Sequence, residues 1–211
     1  MISNIYDFDK TIYKKDSTID FFKFCLKKRP SIIKYLFILL WYFFLYVICV
    51  IDKTKFKSKF FVFLKAFDNI DQVVSEFWKE KKQNIAEWYE KQHQENDIVI
   101  SASPYFLLKP ICDELHIKHL VASNVDSKTG QFLDKNCYGE EKITQLKEII
   151  GDVEINEFYS DSYSDQPLAD VSKNPFIVKH GKVHRWNEYK PSFIEKVKES
   201  KIGRASCRER V

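Results

Sequence analysis

Ile5-Tyr6-Asp7-Phe8-Asp9-Lys10-Thr11-Ile12 is the stretch that decides the fold of this chain. Its apolar residues predict a short buried strand, which ends where two carboxylates begin. Residues i and i+2 of an extended chain lie on one side, so Asp7 and Asp9 are expected to converge. Carboxylates that close repel each other unless a cation or a shared proton separates them. A bare pair of this kind is more often an acidic turn after an edge strand.

Three later segments, in a fixed order, change that interpretation. An apolar strand over 97–100 ends in Ser101-Ala102-Ser103-Pro104, and a helical pattern follows the proline. A second helical pattern begins after Gly139 and carries Lys142 in its first turn. A third segment, 155–160, is a strand that ends in the pair Asp161 and Asp165. Alternation of strands and helices of this kind predicts a parallel, doubly wound sheet with these polar residues beyond the strand ends.

The order of these motifs resembles the haloacid dehalogenase superfamily of aspartate-nucleophile hydrolases, and most closely its phosphoserine-phosphatase-like branch. The resemblance covers about residues 1–186 and includes DxDxT, a hydroxyl at a strand end, a helix-start lysine and DxxxD. It implies an α/β fold with a Rossmann-like parallel sheet and an inserted all-helical cap. We expect the core over 1–13 and 96–186, the cap over 14–95, and a C-terminal extension over 187–201.

The resemblance also implies roles for individual residues. Asp7 would be the nucleophile that becomes an aspartyl phosphate, and Asp9 the general acid and base. Substrate or phosphate contacts are expected from Thr11, Ser101, Ala102, Lys142 and Asp16. Four carboxylates against one lysine call for a divalent cation, and oxygen ligands select a hard ion such as Mg²⁺. Its expected ligands are Asp7, Asp9 through its backbone carbonyl, Asp161, and Asp165 in support.

The substrate is left open between two classes, a lipid phosphate and a small soluble phosphomonoester. The basic-flanked apolar cap and the segment 159–162 look similar to bacterial phosphatidylglycerophosphate phosphatases of this superfamily. Phosphoserine is an alternative because Asp16 follows Asp7 by nine residues, where the phosphoserine phosphatases carry a cap acid. Those enzymes also use a cap arginine, for which Arg29 and Arg185 are poor matches. A catalytically inactive, membrane-associated binding module is a further alternative.

The segment 35–51 is apolar without interruption and is predicted to be a helix, with lysines on both flanks. About seventeen helical residues cover only about 25 Å, short of the roughly 30 Å hydrocarbon core of a bilayer. A single crossing would also separate Asp7 from Ser101 and Lys142. A buried cap helix, a re-entrant hairpin and a helix in the bilayer interface remain open. Membrane-surface contact through 35–67 and oligomer formation are therefore both expectations.

The rest of the sequence gives further expectations about secondary structure, partners and localisation. The pattern over 70–95 predicts amphipathic helix, and Pro175–Val178 is predicted to be the last strand. The formal charge of +4 is too small to indicate nucleic acid as a partner. The tail over 202–211 holds three of the five arginines and resembles a translated sequencing adapter, so we expect it to be non-native. We expect a cytoplasmic protein, with peripheral attachment to the inner face of the membrane as an open alternative.

Overall fold

The sheet at the centre of the protein has six strands, and its order places the first strand in the middle. The computed structural model describes residues 2–48, 50 and 59–191. The strands follow one another across the sheet as β3-β2-β1-β4-β5-β6. They are β1 (Ile2–Tyr6), β2 (Ile98–Pro104), β3 (His119–Ser123), β4 (Glu154–Ser160), β5 (Ser172–Lys179) and β6 (Lys182–Arg185). The first five are parallel, which confirms the doubly wound sheet.

Seven α-helices connect these strands in the described part of the chain. Four of them lie between β1 and β2, which confirms the inserted helical cap. The helices are α1 (Ser17–Lys28), α2 (Ile33–Val47), α3 (Ile70–Lys81), α4 (Glu87–Gln92), α5 (Tyr105–Glu114), α6 (Glu140–Ile149) and α7 (Gln166–Asp170). The limits expected for core, cap and extension remain predictions.

Alternate residues of the strands enter two different hydrophobic clusters, one on each face of the sheet. Ile5 of β1 belongs to the cluster that includes Leu146 of α6, whereas Tyr6 belongs to the cluster that includes the cap helices. This alternation follows from the two-residue period of a strand. Tyr6, Tyr159 and Phe176 then stack in a row across β1, β4 and β5, with successive ring centroids 4.8 Å apart.

The cap is joined to the sheet by one continuous aromatic cluster. Phe8, just after β1, packs edge-on against Trp78 of α3, and Phe77 of α3 packs against Phe21 of α1. The indole N–H of Trp78 donates to the carbonyl of Leu107 in α5 at 2.6 Å. Burial of large aromatic side chains is the main source of stability in such a cluster. The inserted helices are therefore held directly on the sheet.

The predicted helix over 70–95 is interrupted. It divides into α3, a 3₁₀ turn at Lys82–Asn84 and the short helix α4. Between them Ile85 forms a bridge with Tyr13, and the Ala86 N–H donates to the Ile12 carbonyl at 2.8 Å. A residue that bonds to another segment through its backbone cannot continue the helical ladder. The amphipathic pattern was correct, but this pairing with the loop after β1 is non-local and invisible to periodicity.

The apolar helix predicted over 35–51 begins earlier and ends earlier. α2 covers Ile33–Val47, and none of its residues is buried, which excludes the packed cap helix for the described chain. The helix ends because the N–H of Val50 donates to the carbonyl of Leu45 at 2.9 Å, a wide closing turn typical of helix C-termini. Cys49 and Ile51, at the end of the predicted segment, lie outside the described residues.

The prediction that Pro175–Val178 is the last strand was wrong. That strand extends over Ser172–Lys179, and β6 returns antiparallel beside it after a turn at His180 and Gly181. The hydrophobic pattern of the sequence did not predict β6, because only four of its residues pair with β5 and their side chains are mostly exposed. The expected tail over 202–211 and most of the extension over 187–201 lie outside the described residues.

Gly130 offers a test of how tightly the core meets the cap. Its φ is +74°, and a Cβ at this position would overlap the backbone carbonyl of Phe61. We expect Gly130→Ala to lower the free energy of unfolding by about 3–5 kcal/mol, from positive-φ strain and overpacking combined. Gly151→Ala is the matched control, since Gly151 has φ +92° and open space around its Cα. It should cost about 1–2 kcal/mol. If urea denaturation shows the same loss of unfolding free energy in Gly130→Ala and Gly151→Ala, this packing is contradicted.

Candidate active site

Polar residues collect at the carboxyl ends of the three central strands. Asp7 directly follows β1, Ser101–Pro104 is the last part of β2, and Asp161 follows β4. The strand order reverses at β1, with β2 on one side and β4 on the other. Ligands of open α/β sheets bind in the crevice at such a reversal. The sheet therefore brings together residues that are more than 150 positions apart in the chain.

A buried lysine joins two of these carboxylates. The Lys142 ammonium donates to Asp7 Oδ1 and to Asp165 Oδ2, each at 2.7 Å. Lys142 lies in the first turn of α6, and its side chain is only 3% exposed. Ser160 Oγ, at the end of β4, donates to the same Asp165 oxygen at 2.7 Å. The structure thus brings the helix-start lysine, the first aspartate and the last aspartate together at one point.

Burial and neighbouring charges shift the pKa values of Asp7 and Lys142. Burial raises the pKa of Asp7 well above its usual value, Lys142 opposes that shift, and the Asp165 and Asp161 carboxylates add to it. Burial alone would lower the pKa of Lys142, but the Asp165 and Asp7 carboxylates outweigh burial and raise it. Lys142 is thus held as an ammonium. Its single charge faces three carboxylates, which leaves the pocket short of positive charge.

Asp9 is held by the start of α1 and by β2. Its Oδ1 accepts from the Ser17 N–H at 2.6 Å, and its Oδ2 accepts from Ser103 Oγ at 2.5 Å. Free N–H groups at a helix N-terminus favour a carboxylate there. Burial nevertheless raises the pKa of Asp9 to about 6, with Asp16 adding to the shift and the bonds from Ser103 and Ser17 opposing it. Asp9 is therefore suited to gain and lose a proton near neutral pH.

Asp161 and Lys10 form the outer side of the site. Lys10 Nζ lies 3.8 Å from Asp161 Oδ2, and Lys10 has a left-handed backbone with φ +58°. Burial raises the pKa of Asp161, and Lys10 opposes that shift. A non-glycine residue in this region stores strain, which is more frequent at functional sites than elsewhere.

The remaining predicted residues lie around this centre. Thr11 is 1% exposed, and its hydroxyl has no hydrogen-bond partner among the described residues. Ser101 is buried at the end of β2, where its Oγ accepts from the Ser103 N–H at 3.1 Å, and Ala102 lies between them. Asp16 caps α1 by accepting from the Ile19 N–H at 2.9 Å. Contact of these four residues with substrate stays a prediction.

The donor set fits a hard divalent cation. In the described chain no group of three His, Cys, Asp or Glu side chains has the geometry of a ready metal cage. Mg²⁺ needs no such cage, because it usually takes one or two carboxylates and fills its other positions with water and phosphate oxygens. Asp165 Oδ1 is buried without a hydrogen-bond partner among the described residues. That orphaned oxygen, and the excess of negative charge around Lys142, favour a cation between Asp7, Asp161 and Asp165.

Several contributing residues were missed by the sequence interpretation. Ser103 and Ser17 hold Asp9, Ser160 holds Asp165, and Lys10 faces Asp161. Ser103 had a signal, because it follows Ser101 by two residues at a strand end where one motif hydroxyl was already identified. Ser17 and Ser160 carried none, since single serines beside helix caps and strand ends are common.

A groove of about 560 Å³ opens beside the site. Thr11 and Asp161 belong to both. The rest of the groove is lined by Trp88, by small or apolar residues (Ala86, Val178 and Gly181) and by basic residues from two segments. Those basic residues are Lys10, Lys14, Lys179 and His180. A ligand held by Thr11 and Asp161 therefore meets a positively charged wall, which favours an anion.

Comparison with known proteins agrees with this architecture. The family model for haloacid dehalogenase-like hydrolase matches residues 5–170. No curated protein matches the chain. Among solved structures, a protein of unknown function from Bordetella pertussis Tohama I aligns with TM-score 0.63 and 16% identity, over 82% of this chain and 87% of that one.

Two further structures have the same fold. A phosphoserine phosphohydrolase-like protein from Francisella tularensis aligns with TM-score 0.54 and 20% identity, over 83% of this chain and 86% of that one. A substrate-bound phosphoserine phosphatase aligns with TM-score 0.52 and 15% identity, over 83% and 85% of the two chains. The family match covers most of the chain and includes both aspartate motifs. The chain therefore belongs to the haloacid dehalogenase-like hydrolases, with the fold of their phosphoserine-phosphatase-like members.

Proposed function

We propose that this protein is a phosphatase that hydrolyses phosphomonoesters by way of a phosphorylated Asp7. The observation that carries the proposal is the buried Asp7–Lys142–Asp165 group beside Asp9. Lys142 occupies Oδ1 of Asp7 and leaves Oδ2 to attack phosphorus. Phosphoryl transfer depends on positioning and on neutralising the charge of the phosphoryl oxygens, and the site supplies both.

The first step would transfer the phosphoryl group to Asp7. Asp7 Oδ2 forms a bond to phosphorus while the bond from phosphorus to the substrate alcohol breaks. Protonated Asp9 gives its proton to the leaving alcohol oxygen, which a carboxyl group with a pKa of about 6 can do near neutral pH. Ser103 and the start of α1 hold that carboxyl group in place, through hydrogen bonds to its two oxygens.

The second step would reverse the role of Asp9. As a carboxylate it takes a proton from water, and the water oxygen forms a bond to phosphorus. The bond from phosphorus to Asp7 Oδ2 breaks, which releases phosphate and restores the Asp7 carboxylate. Lys142 neutralises Asp7 in both steps. Mg²⁺, held by Asp7, Asp161 and Asp165 with the Asp9 carbonyl, would supply positive charge for the phosphoryl oxygens. Thr11, Ser101 and the backbone at Ala102 would donate to those oxygens.

The structure disfavours phosphoserine as the substrate. Arg29 follows the last residue of α1, at the opposite end of that helix from Asp9, and Arg185 lies on the edge strand β6. Neither offers the cap guanidinium that would bind an amino-acid carboxylate as a fork. Asp16, the counterpart of the cap acid, caps α1. A lipid phosphate and another small soluble phosphomonoester remain the two candidate substrates.

A single assay distinguishes the two candidate substrates. Phosphate release with Mg²⁺ should be compared between phosphatidylglycerophosphate in detergent and a panel of soluble esters that includes phosphoserine. Turnover selective for the lipid would assign the first class, and selective turnover of a soluble ester would assign the second.

Asp7→Asn tests the phosphatase proposal itself. The substitution keeps the size of the side chain but removes its nucleophilic carboxylate, so we expect kcat to fall by about a thousandfold or more. Asp113→Asn, which changes an exposed carboxylate of α5, is the matched control and should leave kcat unchanged. An inactive binding module would show no turnover in the natural chain and would not depend on this substitution.

Lys142→Met tests the role of the ammonium. It leaves Asp7 and Asp165 buried without their cation, so the free energy of unfolding at neutral pH should fall by about 3–5 kcal/mol. Lys142 opposes the raised pKa of Asp7, so the variant should bind this proton more tightly when folded. The deficit should therefore shrink as pH falls from about 7 to about 4. Lys147→Met, an exposed lysine of the same helix, is the control. The measurement is urea denaturation of both variants. An equal loss of unfolding free energy in Lys142→Met and Lys147→Met would refute this role.

A further inference from the structure

α2 presents a continuous apolar face to solvent. Phe37 is 70% exposed, Leu40 57% and Trp41 61%, and Phe44 and Val47 continue the same face one turn apart. The opposite face is half-buried. Spacing of three and four residues places these side chains on one side of a helix. Of the apolar window Pro30–Val47, only 6% is buried. An exposed apolar surface of this extent indicates a binding partner.

Both ends of this segment return to the same helix of the cap. α1 leads through the short turn Pro30–Ile32 into α2. After the segment, Phe60 and Phe63 pack against Phe22 of α1, with ring centroids 5.4 and 5.0 Å apart. Fifteen helical residues also extend only about 22 Å, less than a bilayer core of about 30 Å. The segment therefore leaves the cap and comes back on one side, which excludes a single crossing.

The positive charge of the segment that contains α2 indicates which kind of partner binds it. Residues 21–67 contain ten lysines and arginines and one acidic residue, Asp52, so their formal charge is +9. The whole chain carries +4, which leaves −5 for the remainder. A second copy docked face to face would bring two such regions together, and like charges repel. An anionic lipid surface is complementary to this region, because basic residues beside an apolar helix face bind its headgroups.

We propose that α2 docks the protein on an anionic lipid bilayer, lying in the interface with Phe37, Leu40, Trp41 and Phe44 among the acyl chains. Arg29 and Lys34 flank the start of the helix, and Lys59 lies over the ring of Tyr42 at 5.2 Å. The first residue of α1, Ser17, donates its N–H to Asp9, and the helix extends about 18 Å from there to the turn before α2. The docked surface therefore lies on the cap, at the end of α1 that is remote from Asp9.

The test is sedimentation of the full chain with two kinds of vesicle. We expect binding to vesicles of phosphatidylcholine with one third phosphatidylglycerol, weakened by high salt, and little binding to phosphatidylcholine alone. Leu40→Glu and Trp41→Glu should each lower the partition coefficient for anionic vesicles by about tenfold or more. Val171→Glu is the matched control. Val171 is 59% exposed and lies outside the cap, directly after α7, so this variant should bind as the natural chain does.

Hydrolysis of a soluble ester and the thermal unfolding midpoint separate docking from folding and catalysis. Both should be the same in the natural chain and the three variants, because none of these side chains is buried or belongs to the site. Absence of vesicle binding, equal binding to neutral and anionic vesicles, or equal loss in Val171→Glu would each overturn the proposal. The proposal would also be overturned if the natural chain were a dimer that Leu40→Glu converts to a monomer without changing vesicle binding. That result would assign the face to a second copy of the chain.

Discussion

The ion pair between the buried ammonium of Lys142 and the carboxylates of Asp7 and Asp165 is the interaction on which the site depends. Charges are costly to bury, and they persist only when paired and hydrogen-bonded. Each partner comes from a different part of the chain: Asp7 from the end of β1, Lys142 from the start of α6 and Asp165 from the turn after β4. The sheet order makes this meeting possible, because β1 lies between β2 and β4.

A second contact couples the cap to the chemistry. Asp9 is hydrogen-bonded both by the first residue of α1 and by Ser103 at the end of β2. A movement of α1 would therefore change the position of the proposed acid and base. The other end of the same helix leads through the turn Pro30–Ile32 into α2, and Phe60 and Phe63, after α2, pack against Phe22 in the middle of α1. Any partner that binds α2 is thus linked to the active site through one helix.

Much of this arrangement could be predicted from the sequence. Asp7, Lys142 and Asp165 were identified because each occupies a strand end or helix start in a recurring order of motifs. The end of β4 at Ser160 and the start of α6 were correct to the residue, since an acidic pair after a strand and a glycine before a helix give local signals. The family match and the fold of the solved structures confirm the superfamily.

Other features depend on contacts between distant segments and left no local pattern. The break at Ile85 and Ala86 is imposed by the loop after β1, and Ser103 acquires its role only when α1 arrives beside it. β6 is formed by pairing with β5 rather than by its own composition. The exposure of α2 was equally hidden, because an apolar helix has the same sequence whether it is packed or uncovered.

The measurement that tests the account most directly is chemical trapping of the phosphorylated residue during turnover. Borohydride reduces an acyl phosphate and converts the aspartate that carries it into homoserine. The protein should be quenched with borohydride while it hydrolyses a soluble ester with Mg²⁺, and its peptides analysed by mass spectrometry. The account predicts homoserine at position 7 and at no other aspartate. Homoserine at position 9 or 161, or continued turnover without any trapped residue, would contradict it.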